Sequence, residues 1–137
     1  MGKRLVLAVS VAIGFSVAVA TLVLAASEEF YRGKVIRVVV GFSAGGGFDT
    51  YARAVSRYMG KYIPGNPTIV VENMTGAGSL IAANHIYKVA KPDGLTIGSF
   101  NGNQILNQLV GAQGIDFDAR KMGWLGAPGY KIGRAHV

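Results

Sequence analysis

The chain has no cysteine. That excludes a disulfide framework and a lipid-modified cysteine at the end of an exported leader. Histidine is nearly absent too, with only His85 and His136. Neither has a partner at metal-ligand spacing, so no metal site is expected. His85 reads as a surface or half-buried helix residue. Acids are scarce, seven against fourteen Lys and Arg, for a formal net charge of +7. Much of that excess sits at the two ends. Setting aside Lys3, Arg4, Lys131 and Arg134 leaves ten bases against seven acids over residues 28–130, a net of +3. Such a balance does not argue for nucleic acid or a membrane surface. It suits a small anionic molecule at least as well.

Nucleotide and hydrolase signatures are missing as well. A phosphate-binding P-loop needs Gly-Lys followed by Ser or Thr, whereas Gly47 precedes Phe48. Gly45 and Gly47 fit the dinucleotide fingerprint, but Thr50 stands at its third glycine position. Glu72 follows at about the distance of a ribose-binding acid, which leaves a near-match and no more. Ser43 lacks the G-x-S-x-G elbow and any evident His–Asp partnership. No catalytic residue and no cofactor is expected.

What is present begins with a leader. Lys3 and Arg4 form a positive n-region, and residues 5–26 carry no charge. Val23-Leu24-Ala25 or Ala25-Ala26-Ser27 suits a signal peptidase, so 1–27 reads as a signal peptide that exports the chain. An uncleaved N-terminal anchor is the alternative, since ~20 apolar residues span a bilayer. At the other end, Ile132-Gly133-Arg134-Ala135-His136-Val137 is the translation of ATC GGA AGA GCA CAC GTC, the start of a widely used sequencing adapter whose next triplet is a stop. Residues 131–137 are therefore expected to be an artefact, with 28–130 the domain portion.

Between the ends, short apolar runs alternate with helical patterns. Strands are expected over 35–40, 68–72 and 95–100, and helices over 50–62, 79–90 and from 103 to near Gly111. Tyr51, Val55, Tyr58, Met59 and Tyr62 recur at helical spacing and supply an apolar face for the first helix. Leu80, Ala83, Ile86, Tyr87 and Ala90 do so for the second. Pro64-Gly65-Asn66-Pro67 and Lys91-Pro92-Asp93-Gly94 are turns. Residues 122–127 are expected to begin a fourth strand. The alternation implies βαβ units and a parallel sheet. Ligands bind such sheets beyond the carboxyl ends of the strands. The loops at 41–49, 73–79 and 101–103 all lie there.

The first of these loops, Gly41 to Asp49, carries the clearest chemistry. A strand, a glycine-rich turn and a helix start make an anion pocket, because the first-turn N–H groups lack intrahelical acceptors. Ser43 would line it with a hydroxyl. Asp49 reads first as an N-cap accepting from residue 51 or 52, and alternatively as a receiver of a ligand amine or hydroxyl. Phe48, Tyr51 and Trp124 read as core residues, although Phe48 at the loop tip would also serve to roof a ligand. Asn73-Met74-Thr75 matches a glycosylation sequon, which means little behind a bacterial-type leader.

Four motifs in order resemble one family. Lys34-Val35-Ile36-Arg37 with Gly45-Gly46-Gly47-Phe48-Asp49, Val70-Val71-Glu72-Asn73 with Gly76-Ala77-Gly78, and Lys91-Pro92-Asp93-Gly94 before a strand are similar to the periplasmic solute-binding receptors of tripartite tricarboxylate transporters, the Bug family. The resemblance covers about residues 30–127. It implies an α/β chain forming part of a type II periplasmic-binding-protein fold, first lobe only, with a parallel-type sheet and flanking helices. By the same resemblance, a small organic anion of the di- or tricarboxylate class is bound in the periplasm and handed to the membrane permease subunits. Ser43, Ala44, Gly45, Gly46, Gly47, Phe48 and Asp49 would form the first carboxylate-binding loop. Gly76, Ala77, Gly78 and Ser79 would form the second, and Asn101 and Gly102 would line the cleft. Family members often carry Thr where Phe48 stands. The alternative is an exported α/β enzyme acting on a small acid or phosphate ester, for which Asp49 is the one base near the strand ends.

Overall fold

The computed structural model describes residues 30–126. The expected leader at 1–27 and the adapter-like segment at 131–137 lie outside the described residues. Three strands form: β1 over Val35–Val40, β2 over Thr68–Asn73 and β3 over Thr96–Ser99. Three helices connect and follow them: α1 over Gly47–Met59, α2 over Leu80–Lys88 and α3 over Asn103–Leu109. The sheet order is β2-β1-β3 and both pairings are parallel. The chain is thus an α/β unit built of two βαβ turns, as its alternation implies.

β1 takes the centre because it is the most apolar strand. Ile36, Val38, Val39 and Val40 are all buried, as expected of a parallel strand covered on both faces. Val40 pairs with Asn73 on one side and Ser99 on the other, so the three strands end level. The loops that follow them therefore emerge side by side. Beyond β3, Phe117 and Ala119 join Ala83 of α2 in a buried cluster, with Leu80, Tyr87, Phe100, Ile105, Ile115 and Met122 packed around it.

Several expectations are corrected. Residues 122–126 contain no strand; Trp124 is instead tethered by its indole N–H to the Ala119 carbonyl (2.9 Å) and meets the Phe100 ring edge-on. Trp124 is exposed rather than core. α1 begins at Gly47, three residues before its expected start. Its large apolar stripe does not face the sheet: Tyr51 is 58% exposed and Tyr62 77%, and Val55 and Tyr58 are also exposed. The inward stripe consists of Asp49, Ala52, Ser56 and Met59, mostly small or polar residues. The reason lies at the helix ends. Gly60 passes so close to the chain after it that a Cβ there would stand 2.9 Å from the Pro67 carbonyl. At the other end Asp49 and Arg53 are tied to Asn73 at the end of β2. These two attachments fix the rotation of the helix about its axis. Packing the tyrosines inward would break both. Among the described residues no helix is long and apolar enough to cross a membrane.

Candidate functional site

The three loops at the carboxyl edge are knitted into one frame. Gly41, directly after β1, donates its N–H to the Ser99 carbonyl (2.8 Å) and lies flat against Ser79. A Cβ on Gly41 would stand 2.4 Å from the Cβ of Ser79, so glycine is required by the approach of two backbones. Ser79 is only 1% exposed, and its hydroxyl accepts the N–H of Asn101 (2.9 Å). Gln104 of α3, also buried, donates from Nε2 to the Gly78 carbonyl (2.8 Å). Loop two is thereby joined to loop one by contact and to loop three by two hydrogen bonds. Among the described residues every buried side-chain nitrogen and oxygen has a partner.

The turn between β2 and α2 is conformationally unusual. Gly76, Ala77, Gly78 and Ser79 all have positive φ, at 134°, 45°, 60° and 77°. For Ala77 and Ser79 this left-handed backbone costs roughly 1–2 kcal/mol each. Strain of this kind collects at ligand clamps, where surrounding contacts over-determine the chain. Here the Ser79 and Gln104 bonds supply that constraint.

Asp49 departs from its expected role. It lies inside the first turn of α1 rather than at its N-cap, which is Gly46, and does not accept from residue 51 or 52. Its carboxylate reaches back to the N–H of Gly45 (2.8 Å), accepts Arg53 Nε at 3.0 and 2.9 Å, and accepts Asn73 Nδ2 at 2.9 Å. The reach from the third helical residue toward the preceding loop is the acidic half of a capping box, displaced by one residue. Asn73 also donates to the Phe42 carbonyl (2.9 Å) and accepts from Arg53 (3.0 Å). The Arg53 guanidinium, followed by the Gly45 N–H and Asn73, holds the Asp49 carboxyl far below the usual carboxylate range. At 2% exposure, and with both oxygens engaged, Asp49 belongs to the frame of the loop. A ligand amine would have to break this latch to reach it.

The surface of the site is formed by other members of the expected set. Ser43, Ala44, Gly45, Gly46, Gly47 and Phe48 are exposed, as are Ala77, Gly78 and Gly102, while Gly76 and Asn101 are half-buried. Gly45 carries the positive φ of the first loop, +79°, whereas Gly46 is extended at φ −74°. The N–H groups of Gly47 and Phe48 have no acceptor among the described residues. With the N–H of Asp49, which also has no acceptor among the described residues, they are the free donors of the α1 terminus. Phe48 stacks on Phe42 with centroids 4.2 Å apart and planes 17° from parallel. It is not a core residue, being 42% exposed.

Sequence reasoning missed Phe42, Arg53, Asn73 and Gln104. The Asp49–Arg53 spacing of four on a helix was the available clue. Nothing local in the sequence marks Asn73 or Gln104, whose partners are distant in the chain. A shallow hollow of about 360 Å³ lies at the opposite edge of the sheet, with Arg37, half-buried His85, Lys91 and Asp93 on its wall. Arg37 there forms a two-point ion pair with Glu72 across β1 and β2 (3.0 and 2.6 Å). Among the described residues no group of three or more His, Cys, Asp or Glu is placed to hold a metal ion.

No protein-family model matches the chain. Two curated proteins are similar in sequence. A UPF0065 protein of Agrobacterium vitis, from the TAR-I ttuE–ttuC′ intergenic region, is 37% identical over 70 residues, 51% of this chain and 19% of that protein. A UPF0065 protein of Bordetella bronchiseptica is 30% identical over 97 residues, 71% of this chain and 28% of that protein. The chain thus spans under a third of the length of either. Among solved structures, a periplasmic transporter shares 41% identity at a TM-score of 0.45, and the periplasmic binding protein BugD 37% at 0.46. Each covers 50% of this chain, which corresponds to 22% of the other. Both superpositions are loose, and kinship rests on the two sequence relatives.

Proposed function

The chain belongs to the Bug family of solute-binding receptors, and on that premise we propose that it captures a small organic carboxylate in the periplasm for delivery to a tripartite tricarboxylate-type permease. The observation that carries this reading is the pair of free N–H donors on Gly47 and Phe48, at a helix start fixed by the Asp49–Arg53–Asn73 latch. Helix N-terminal donors hold an anion with partial positive charge and need no buried lysine that would be left unneutralised in the empty state. A receptor must release its cargo, so modest, pre-formed donors suit the task.

The N–H groups of Gly76, Ala77, Gly78 and Gly102, in the loops after the two neighbouring strands, are the further donors of this reading, while the Asn101 N–H is taken by Ser79. Ser79 acts by holding Asn101 in place. The enzymatic alternative needs a general base here, and the Asp49 carboxylate is neutralised by Arg53 and fully hydrogen-bonded. That chemistry favours binding over catalysis. The export leader, 1–27, and the carboxylate class are parts of the same proposal.

The test is thermal unfolding of the protein expressed from its complete reading frame, with a panel of mono-, di- and tricarboxylates. One or more acids should raise the midpoint in a concentration-dependent way. Gly45→Val, which forces a β-branched residue to φ +79°, should abolish that rise. A folded protein that responds to no carboxylate would refute the reading.

A further inference from the structure

The end of α1 remote from the site is aromatic and basic. The helix starts at Gly47 on the carboxyl edge, and a 3-10 turn over Gly60–Tyr62 continues it to the amino edge. Tyr58 stands about 16 Å along the axis from Gly47. Tyr58 and Tyr62 are 56% and 77% exposed. The Lys61 ammonium lies 5.2 Å from the centre of the Tyr58 ring and 4.9 Å from that of Tyr62, within cation–π range of both. One cation thus bridges two rings into a single aromatic surface, and exposed Arg57 flanks it. The close pass of Gly60 against the Pro67 carbonyl holds this turn in place.

The charge around these rings is of one sign. Between Asp49 and Glu72 the chain has Arg53, Arg57 and Lys61 and no acid. Asp49 and Glu72 are themselves engaged by Arg53 and Arg37. Among the described residues no acid pairs with Arg57 or Lys61. Exposed Lys34 adds a third cation at this edge, since its carbonyl accepts the N–H of Thr68 at the start of β2 (3.0 Å). Asp93 lies in the turn before β3, on the other side of β1, and is bonded to the Leu95 N–H. Glu28 and Glu29 precede the described residues. The small net excess of bases is therefore unevenly placed. Exposed tyrosines among unpaired cations match a surface that is negative at its skin and apolar beneath, where amphipathic rings and basic side chains both gain.

We propose that this end of α1 docks on an anionic phospholipid surface, with Tyr58 and Tyr62 at headgroup level and Lys34, Arg57 and Lys61 against lipid phosphates. An acidic protein surface would satisfy the cations, but it does not require two phenol rings with apolar depth on one side and water on the other. Docking there leaves the loops at 41–49, 73–79 and 101–103, at the opposite end of the sheet, uncovered. It is independent of which anion those loops bind.

Vesicle flotation tests this with the protein from its complete reading frame, without residues 1–27 so that the apolar leader makes no contribution. The probes are vesicles of phosphatidylcholine alone and of phosphatidylcholine mixed with phosphatidylglycerol. Binding is expected to the mixed vesicles only, and it should fall as salt is raised. Arg57→Gln with Lys61→Gln should weaken it by about fivefold per cation. Tyr58→Ser with Tyr62→Ser should weaken it by roughly tenfold. Tyr58→Trp with Tyr62→Trp should retain or strengthen it, which separates ring insertion from a folding defect. Binding to neither vesicle would overturn the proposal, and so would equal binding by wild type and both weakened variants. Vesicles ignored while polyglutamate is bound would assign the face to an acidic protein instead. Vesicles ignored while the wild type self-associates, in a way that Tyr58→Ser with Tyr62→Ser abolishes, would assign it to a second copy.

Discussion

Substituting Gly41 by Ala should be the most damaging one-methyl change at the carboxyl edge. The new Cβ would stand 2.4 Å from Ser79 Cβ, 3.1 Å from Ser79 Cα and 3.2 Å from Ala82 Cβ. Carbon atoms in contact normally sit about 3.5–4.0 Å apart. None of the three can swing away: two are Cβ atoms of small residues and one is backbone. Either β1 or the 76–79 turn must shift by roughly 1 Å, and such overpacking costs about 1–3 kcal/mol. Moving Ser79 also strains its bond with the Asn101 N–H, worth about 1 kcal/mol more. The expected destabilisation is therefore about 2–4 kcal/mol. Urea unfolding reads it as a midpoint lower by about 1–2 M at unchanged slope. Gly47→Ala is the control, because a Cβ there meets nothing within 4 Å. It should be neutral or stabilising by up to about 1 kcal/mol. If Gly41→Ala unfolds at the wild-type midpoint, the tight contact between β1 and the 76–79 turn is wrong, and with it the frame of the site.

Ala77→Gly relieves a non-glycine residue at φ 45° and should raise stability by up to about 1 kcal/mol in the same assay. Tyr58→Ser and Tyr62→Ser, on the exposed face of α1, should each change stability by less than about 0.5 kcal/mol; a loss typical of a core aromatic would place that face inward. Asp49 is held below its ordinary value, first by Arg53, then by Gly45 and Asn73. A depressed carboxyl stabilises the fold fully above the unfolded value and loses that contribution as pH falls through the folded one. The stability gap between wild type and Asp49→Asn should thus be constant from pH 7 to about 5 and narrow below about pH 4; a gap that narrows between pH 7 and 5 would contradict the latch.

The alternation of strands and helices, the parallel sheet and the placement of three loops at one edge follow from features legible in the sequence. β1 is a β-branched run between turns, and each glycine-bearing loop follows a strand and precedes a helix. The rotation of α1 was not legible. Periodicity ranks residues by hydrophobicity, and on that scale Tyr51, Val55, Tyr58 and Tyr62 outweigh Ala52 and Ser56. Close approach of backbones and a polar latch decided otherwise, and both depend on residues distant in the chain. The same reason hides the role of Asp49. An acid next to a glycine loop looks like an N-cap, and only the arrival of Asn73 from β2 draws it back over Gly45. Trp124 misleads for a related reason. Its indole N–H finds the Ala119 carbonyl and holds the segment as an irregular tail, where a strand would have buried it.

The central claim is that an organic anion docks on the free donors at the start of α1. Amide chemical shifts measured while a carboxylate is titrated into the protein report it directly. The largest and saturable changes should fall on Gly47 and Phe48, followed by residues 76–78 and Gly102, with Arg37, His85 and Lys91 unmoved. Saturable changes centred on the Arg37–His85–Lys91 hollow, with Gly47 and Phe48 unmoved, would contradict the account.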